Sequence, residues 1–353
     1  MSCARCVWMF QGFSRLEPIK TKQNQTIMKK NLPSLFLVLG LNACIQNGKS
    51  DQQDTPTQGK IHIAVDEAFA PIIAAEINAF QGLYNRAFVI PHYVSEKKAF
   101  ELLLADSVRL VVSGRDFLES EKAHFKKLTI TPKSLKIAVD AVGVILHPDN
   151  PDTLLPMSTL RNILTSSALK WSDLSGKGKK SRPVLVLDKE GSSNQITLLQ
   201  KLGLNKQDIQ VETVFAGGDR EVINYVNSHP ESIGFMGVNW ISDSDDPTQM
   251  RFKNGIRVAG LMPDSVEALL KVKPEEHKDD YFQPLQAYLA KGFYPLSRDM
   301  MVCSREAKSG LGTGFIAWLA SDKGQRVVLK AGLLPATMPV RIVKIKKDND
   351  LTN

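Results

Sequence analysis

Four cysteines cannot staple a chain of 353 residues, and three of them, Cys3, Cys6 and Cys44, precede the part that reads as folded. Cys303 is the only one beyond residue 44, which excludes a disulfide inside that part. Cys3 and Cys6 form a CxxC, but no second pair or histidine cluster follows to complete a zinc site, and no metal is expected. The six histidines are scattered, and neither HExxH nor GxSxG occurs, so hydrolytic machinery is not visible. GxGxxG after the first strand and the P-loop pattern are both missing, so no nucleotide cofactor is expected and the chain does not read as an enzyme. There is no internal repeat, and no heptad seam long enough for a coiled coil.

What is present is ordinary globular composition, 43% apolar and 23% charged, in a length that accommodates two domains. The net charge of +8 invites a nucleic-acid reading until its location is considered. Residues 1–43 hold Arg5, Arg15, Lys20, Lys22, Lys29 and Lys30 against Glu17 alone, so only +3 remains for the rest. No nucleic-acid partner is expected.

The text from Met28, MKKNLPSLFLVLGLNAC, places Lys29 and Lys30 before an apolar run from Leu32 to Leu41 and small residues before a cysteine. This is the layout of a secretory signal. A run of about ten apolar residues is too short to cross a hydrocarbon core of roughly 30 Å. The polar stretch that follows, residues 44–59, has almost nothing to bury and reads as a tether. Leu41, Asn42, Ala43 and Cys44 resemble a bacterial lipobox, with Asn42 a departure from the commonest pattern. That resemblance implies cleavage before Cys44 and acylation of its thiol, which fixes the chain to the membrane by its lipid. Residues 28–43 are then a lipoprotein signal peptide, and residues 1–27 a start assigned too early.

From Gly59 the pattern is strand, loop, helix: alternating IHIAV, then Pro71 opening a helix through Ile72, Ile73, Ile77 and Phe80. AFVIPHYV, a helix capped by Ser95, and VRLVVSG repeat it, which argues a parallel sheet. The long apolar stretch LKIAVDAVGVIL is expected to start a second sheet, continued by RPVLVLD, a helix from Ser193 to Leu202, QVETVFA, a helix from Asp219 to Asn227, and SIGFMGV. A helix over Tyr281–Ala290, a strand in YPLSRDMMVCS, two helices within Gly310–Ala331 and a last strand, VRIVKI, complete the expectation. The fold class is α/β, with lobe I formed by 60–140 and 304–350 and lobe II by 141–303.

In open α/β sheets, ligands bind outside the carboxyl ends of strands, where helix N-termini present free N–H groups. Four such loops stand out: Asp66–Pro71, Val94–Glu96, Ser113–Asp116 and Glu190–Asn194. In EGSSN, Gly191 permits close backbone approach while Ser192, Ser193 and Asn194 offer hydroxyls and an amide at a helix start, a setting for an oxyanion. Serine caps helices routinely, so Ser192, Ser193 and Ser95 each also read as plain caps. Arg115 in SGRD has the guanidinium fork that takes two oxygens of an anion, and equally the makings of a surface ion pair.

The ordered segments AFAPII, YVSEKKAFELLL, VVSGR, AVGVILHPDNP, KWSDL, EGSSN, IGFMGVNW, YPLSRDM and GFIAWLASDKGQRVVLKAGLLP resemble the solute-binding proteins of phosphate ABC transporters over roughly residues 60–345. The resemblance implies a two-lobed type II periplasmic-binding-protein fold, each lobe a mostly parallel sheet flanked by helices, with the ligand cleft between them. It implies that Phe69 offers a backbone amide, Ser95 a hydroxyl, Ser113 to Arg115 a polar edge, and Ser192, Ser193 and Asn194 the anion nest. Three positions depart from the family: Ala68 where a hydroxyl is usual, Gly114 where an aspartate is, and Asp188 where an arginine is. Arg115 then stands in for the guanidinium, and Asp66 or Glu67 for the carboxylate that accepts a phosphate proton. The function implied is an extracytoplasmic, lipid-anchored, monomeric receptor on the periplasmic side of a bacterial envelope. It would deliver a small oxyanion, phosphate first, to an inner-membrane ABC permease by hinge closure near Leu135–Val142 and Leu296–Cys303. A sensory or interaction lipoprotein of the same fold with a degenerate cleft is the alternative.

Mass spectrometry of the membrane-extracted protein is expected to find a chain beginning at an acylated Cys44. An unmodified Cys44 still joined to Ala43 would overturn that expectation.

Overall fold

The computed structural model describes residues 54–266 and 278–340. The leader, Cys44, the tether up to residue 53 and most of the expected last strand lie outside the described residues.

The first α/β units are β1 (Gly59–Asp66), α1 (Ala70–Leu83), β2 (Ala87–Val94), α2 (Glu96–Leu104), β3 (Leu110–Ser113) and α3 (Glu119–Lys127). Strand β1 lies parallel to both β2 and β3, so the carboxyl ends of all three open on one edge. Its inward positions Ile61, Ile63 and Val65 bury against α1, while Ala64 faces Phe100 and Leu103 of α2 on the other side. Helix α3 is not foreshadowed by the apolar pattern. Most of its face is polar, and its start is set by Glu121, whose side chain accepts a 2.8 Å bond from the Leu118 N–H.

The long strand β4 (Lys133–Leu146) does not begin a separate sheet, contrary to expectation. It runs antiparallel to β11 (Ser297–Ser304) through Lys133–Ala141, then exchanges partners and pairs with β8 (Ser232–Gly237) through Val142–Leu146. One strand thus serves both lobes, because its fourteen residues are long enough to take part in two sheets in turn. Between its end and β8 come β5 (Leu154–Pro156), α4 (Met157–Thr165), α5 (Ser172–Ser175), β6 (Val184–Leu187), α6 (Ser193–Leu202), β7 (Glu212–Phe215) and α7 (Asp219–Ser228). Strands β7, β6 and β8 are mutually parallel, and the strand order across the molecule is β2-β1-β3-β11-β4-β8-β6-β7. The second lobe buries Leu185 and Phe235 against α4 and α6, and Val186 and Met236 against α7.

Beyond β8 follow α8 (Pro247–Asn254), β9 (Arg257–Val258), β10 (Gly260–Met262) and α9 (Gln286–Ala290). The helix expected from Tyr281 is thus confined to its last five residues. Pro284 disfavours helical backbone at Gln283, and Phe282 instead exchanges backbone bonds with Leu261. After β11 the chain returns to the first lobe as α10 (Leu311–Ala320), α11 (Asp322–Lys330) and β12 (Leu334–Pro335), the last pairing with β4. Phe80, Phe315 and Trp318 meet edge to face where α1 and α10 cross, with ring centroids 5.3–5.8 Å apart. Among the described residues no helix is long and apolar enough to cross a membrane.

Inside that aromatic cluster, the buried Glu76 accepts a 2.8 Å bond from the Trp318 indole N–H, and its second oxygen has no partner. Burial pushes this carboxyl up to about 8, the Trp318 bond only partly opposing it. The folded chain therefore keeps a proton that the unfolded chain releases above its ordinary value of 4.5. Stability is full below that value and falls as pH rises towards 8. Glu76→Gln removes this dependence: in urea unfolding its advantage over the wild type is expected to grow by about 3 kcal/mol between pH 5 and pH 8. A gap that does not change with pH would contradict the assignment.

Candidate functional site

Arg298 on β11 stands directly opposite Asp140 on β4, one residue before β4 passes from one lobe to the other. Both side chains are almost completely buried, at 3% and 0% exposure. Arg298 donates to one oxygen of Asp140 through Nε at 3.1 Å and Nη2 at 2.9 Å, and its guanidinium lies 4.6 Å from the centre of the Phe69 ring. Its remaining arm, Nη1, donates to the Ser193 hydroxyl at 3.2 Å. The pair forms the buried floor of the seam between the lobes, with the strand ends of both lobes as its walls.

On the first wall, β1 ends at Asp66, whose carboxylate accepts from the Ala68 N–H at 3.2 Å and whose second oxygen is buried without a partner. Burial drives Asp66 up to about 7, against the pull of Arg298 and the Ser193 hydroxyl. Phe69, fully buried, begins α1 beside it. Ser95 caps α2 by accepting from the Lys98 N–H at 3.4 Å. Behind it Glu96 accepts from the Gly114 N–H at 3.1 Å. The Ser113 hydroxyl turns into its own loop and donates to the Arg115 carbonyl at 2.7 Å.

Arg115 is committed elsewhere. Its fork makes two bonds to Glu121, at 2.8 and 2.9 Å, its Nε lies 3.3 Å from Glu96, and it stacks 3.6 Å above Phe100. The guanidinium at the cleft floor is that of Arg298.

The second wall is the turn from β6 into α6. Gly191 adopts φ +71°, which brings the chain round so that Ser192 caps the helix. Ser192 accepts from the Gln195 N–H at 3.2 Å and donates to Asp188 at 2.5 Å. Asn194 is fully buried, and its amide donates to Asp188 at 3.1 Å and to Asp219 at 2.9 Å. Asp219, at the start of α7, also accepts from the Gly237 N–H at 2.7 Å. Burial raises both carboxyls above the ordinary range, Asp219 the further because Asp188 lies beside it.

The two walls touch. Asn239 donates to the Ala68 carbonyl at 2.7 Å, and Lys189 pairs with Glu67 across the mouth. At Gly237 an added Cβ would lie 2.9 Å from the Ala68 oxygen and 3.2 Å from Arg298, so this approach requires glycine.

The structure therefore brings Phe69, Ser192, Ser193 and Asn194 together around Arg298, while Ser95 and Ser113 bond within their own loops and Arg115 is engaged by glutamates. Sequence reasoning did not single out Arg298, Asp140, Asp219 and Asn239 as site residues. The available signal was a pair of opposite charges inside two long strand patterns, IAVDAVGVI and PLSRDMMV, where burial is expected and an isolated charge is costly.

Two α/β lobes joined by paired strands, with helix N-termini and a buried guanidinium meeting between them, define a two-lobed binding protein. The chain belongs to the family described as PBP superfamily domain, whose model matches residues 50–323. It is similar to the phosphate-binding protein PstS of Pseudomonas aeruginosa, 22% identical over 310 residues, 84% of this chain and 89% of that one. PstS of Staphylococcus saprophyticus is 22% identical over 231 residues, 64% of this chain and 65% of that one. Among solved structures, a putative phosphate ABC transporter substrate-binding protein with bound phosphate from Clostridium perfringens superposes with a TM-score of 0.64 at 18% identity. That likeness covers 79% of this chain and 100% of that one. An ABC-type phosphate transport receptor from Vibrio cholerae gives 0.56 at 17% identity over the same shares. Both superpositions show the shared fold.

Removing one member of the floor pair leaves the other buried and uncompensated. Arg298→Ala and Asp140→Ala are each expected to lose about 3–5 kcal/mol in urea unfolding. The double replacement Arg298→Met with Asp140→Leu should lose less than either. Equal or additive losses would show that the two side chains are not coupled.

Proposed function

We propose that this protein is an extracytoplasmic solute-binding protein whose lobes close over a small oxyanion, inorganic phosphate first, for delivery to an ABC permease in the membrane. The observation that carries the reading is the meeting of the α6 N-terminus with Arg298. The Ser193 hydroxyl at the first turn of that helix lies 3.2 Å from a buried guanidinium on the strand that joins the lobes. A helix N-terminus and a fixed guanidinium are both devices by which proteins hold tetrahedral anions. The names of the relatives, phosphate-binding protein and phosphate transport receptor, support phosphate as the solute. No bond is made or broken in such a cycle; the solute contributes by contacting both lobes, which shifts them towards the closed form. β4 and β11 are the hinge, since they are the strands that carry the chain between lobes. Residues 28–43 as signal peptide and Cys44 as lipid anchor, on the periplasmic side of a bacterial envelope, complete the reading, with a monomer as the working unit.

One observation favours a second reading, a sensory or interaction lipoprotein with a degenerate cleft: Asp188 stands where the family's arginine is usual, and Arg115 does not replace it.

Calorimetry at pH 6 separates the two. Phosphate is expected to bind the wild type, and Ser193→Ala to weaken binding at least tenfold, about 1.4 kcal/mol. Arg115→Ala is expected to leave the affinity of the folded protein nearly unchanged. Absence of binding by phosphate, sulfate and molybdate alike would sink the receptor reading.

A further inference from the structure

We propose that Asp188 and Asp219 are specificity-determining residues that hold one proton between them beneath the anion nest and so restrict the cleft to singly charged oxyanions. The proposal rests on the oxyanion reading above and concerns which ionic form the site takes.

The two carboxyls are 95% and 98% buried and are bridged by one amide, both hydrogens of Asn194 Nδ2 being spent on them. Their other donors, the Ser192 hydroxyl and the Gly237 N–H, are neutral. Neither carboxyl has a cation bonded to it among the described residues. Arg298, facing them from β11, is bonded twice to Asp140 on β4. Lys189 on the same turn points to Glu67, and Glu190 beside it to Lys206. Arg220 and Glu221, their neighbours on α7, are exposed. From the opposite lobe Asp66 and Glu96 face the same Arg298.

Two full negative charges in a dry site repel each other and any anion that approaches α6, whose N-cap Ser192 and second residue Asn194 are bonded to this pair. A shared proton removes one of the charges, as in other paired carboxyls. The raised protonation ranges of both groups agree with this arrangement. When the pair is doubly ionised, binding draws one proton from solvent. Affinity therefore falls as pH rises and the proton becomes harder to retain.

The test compares the full chain with Asp219→Asn and Asp188→Asn, titrating inorganic phosphate at pH 6.0, 7.5 and 8.5 in two buffers of different ionisation heat. The titration of free phosphate is common to all three proteins, so the difference between them reports the pair together with the ionic form of phosphate that it admits. The wild type is expected to take up more protons per phosphate bound at pH 7.5 than either variant. Its affinity should fall at least tenfold more between pH 6.0 and 8.5. Infrared difference spectra of the wild type on adding phosphate at pH 8.5 should show a gained carboxylic-acid band. This readout stands even if a variant fails to fold. Equal proton uptake and equal pH slopes in all three proteins, or no gained acid band, would overturn the proposal while leaving the oxyanion reading intact. No phosphate binding by the wild type at any pH would overturn that reading, and this proposal with it.

Discussion

The ion pair between Arg298 and Asp140 is the constraint on which the remaining geometry depends. Two charges removed from water at the point where β4 exchanges one partner strand for another are costly by themselves, and only close pairing makes them tolerable. Because the strands that carry them are paired backbone to backbone through this point, the guanidinium has little freedom. Its plane is held against Phe69 of one lobe, and its free arm is aimed at Ser193 of the other. A lysine there would offer a point charge without the fork, and could not meet Asp140 and Ser193 in one plane. The same residues that join the lobes thus supply the positive charge of the cleft.

Much of the fold was legible because its elements are strongly patterned. Helices α6 and α7 begin where Ser193 and Asp219 were expected to begin them, α6 because the Ser192 cap and an apolar stripe agree there and α7 because an apolar stripe follows two glycines. The apolar run of β4 announced a buried strand, but strand periodicity says nothing about which partners flank it, so one strand shared by two lobes read as the start of a second sheet. α3 was missed because it buries little and is started by a glutamate side chain.

The candidate site was legible in its loops and not in its charges. Glycine and serine at a strand end mark the turn into α6 locally, within five residues, whereas the partner of an arginine is a question of tertiary contact. Arg115 and Arg298 both follow or begin apolar segments, and nothing local says that Glu121 lies six residues away on one face to claim the first, while Asp140, 158 positions distant, claims the second. The resemblance to the family implied an arginine where Asp188 stands and so made Arg115 the natural substitute; its fork is filled by two glutamates instead.

If the resemblance places an arginine at residue 188 in the family, the aspartate here alters the site by more than one missing cation. A guanidinium there would neutralise whatever lies beside it; an aspartate lies next to Asp219 instead and leaves Arg298, among the described residues, as the guanidinium facing the pair. Asp66 and Glu96 of the other lobe face the same guanidinium, with Glu96 partly satisfied by Arg115 and Asp66 left with an unpaired oxygen. Each such carboxyl is either protonated or repels what the α6 N-terminus attracts. The balance between attraction and repulsion is set by the number of protons held between the lobes. In a chain with this substitution, proton count and solute affinity are therefore properties of one and the same structure.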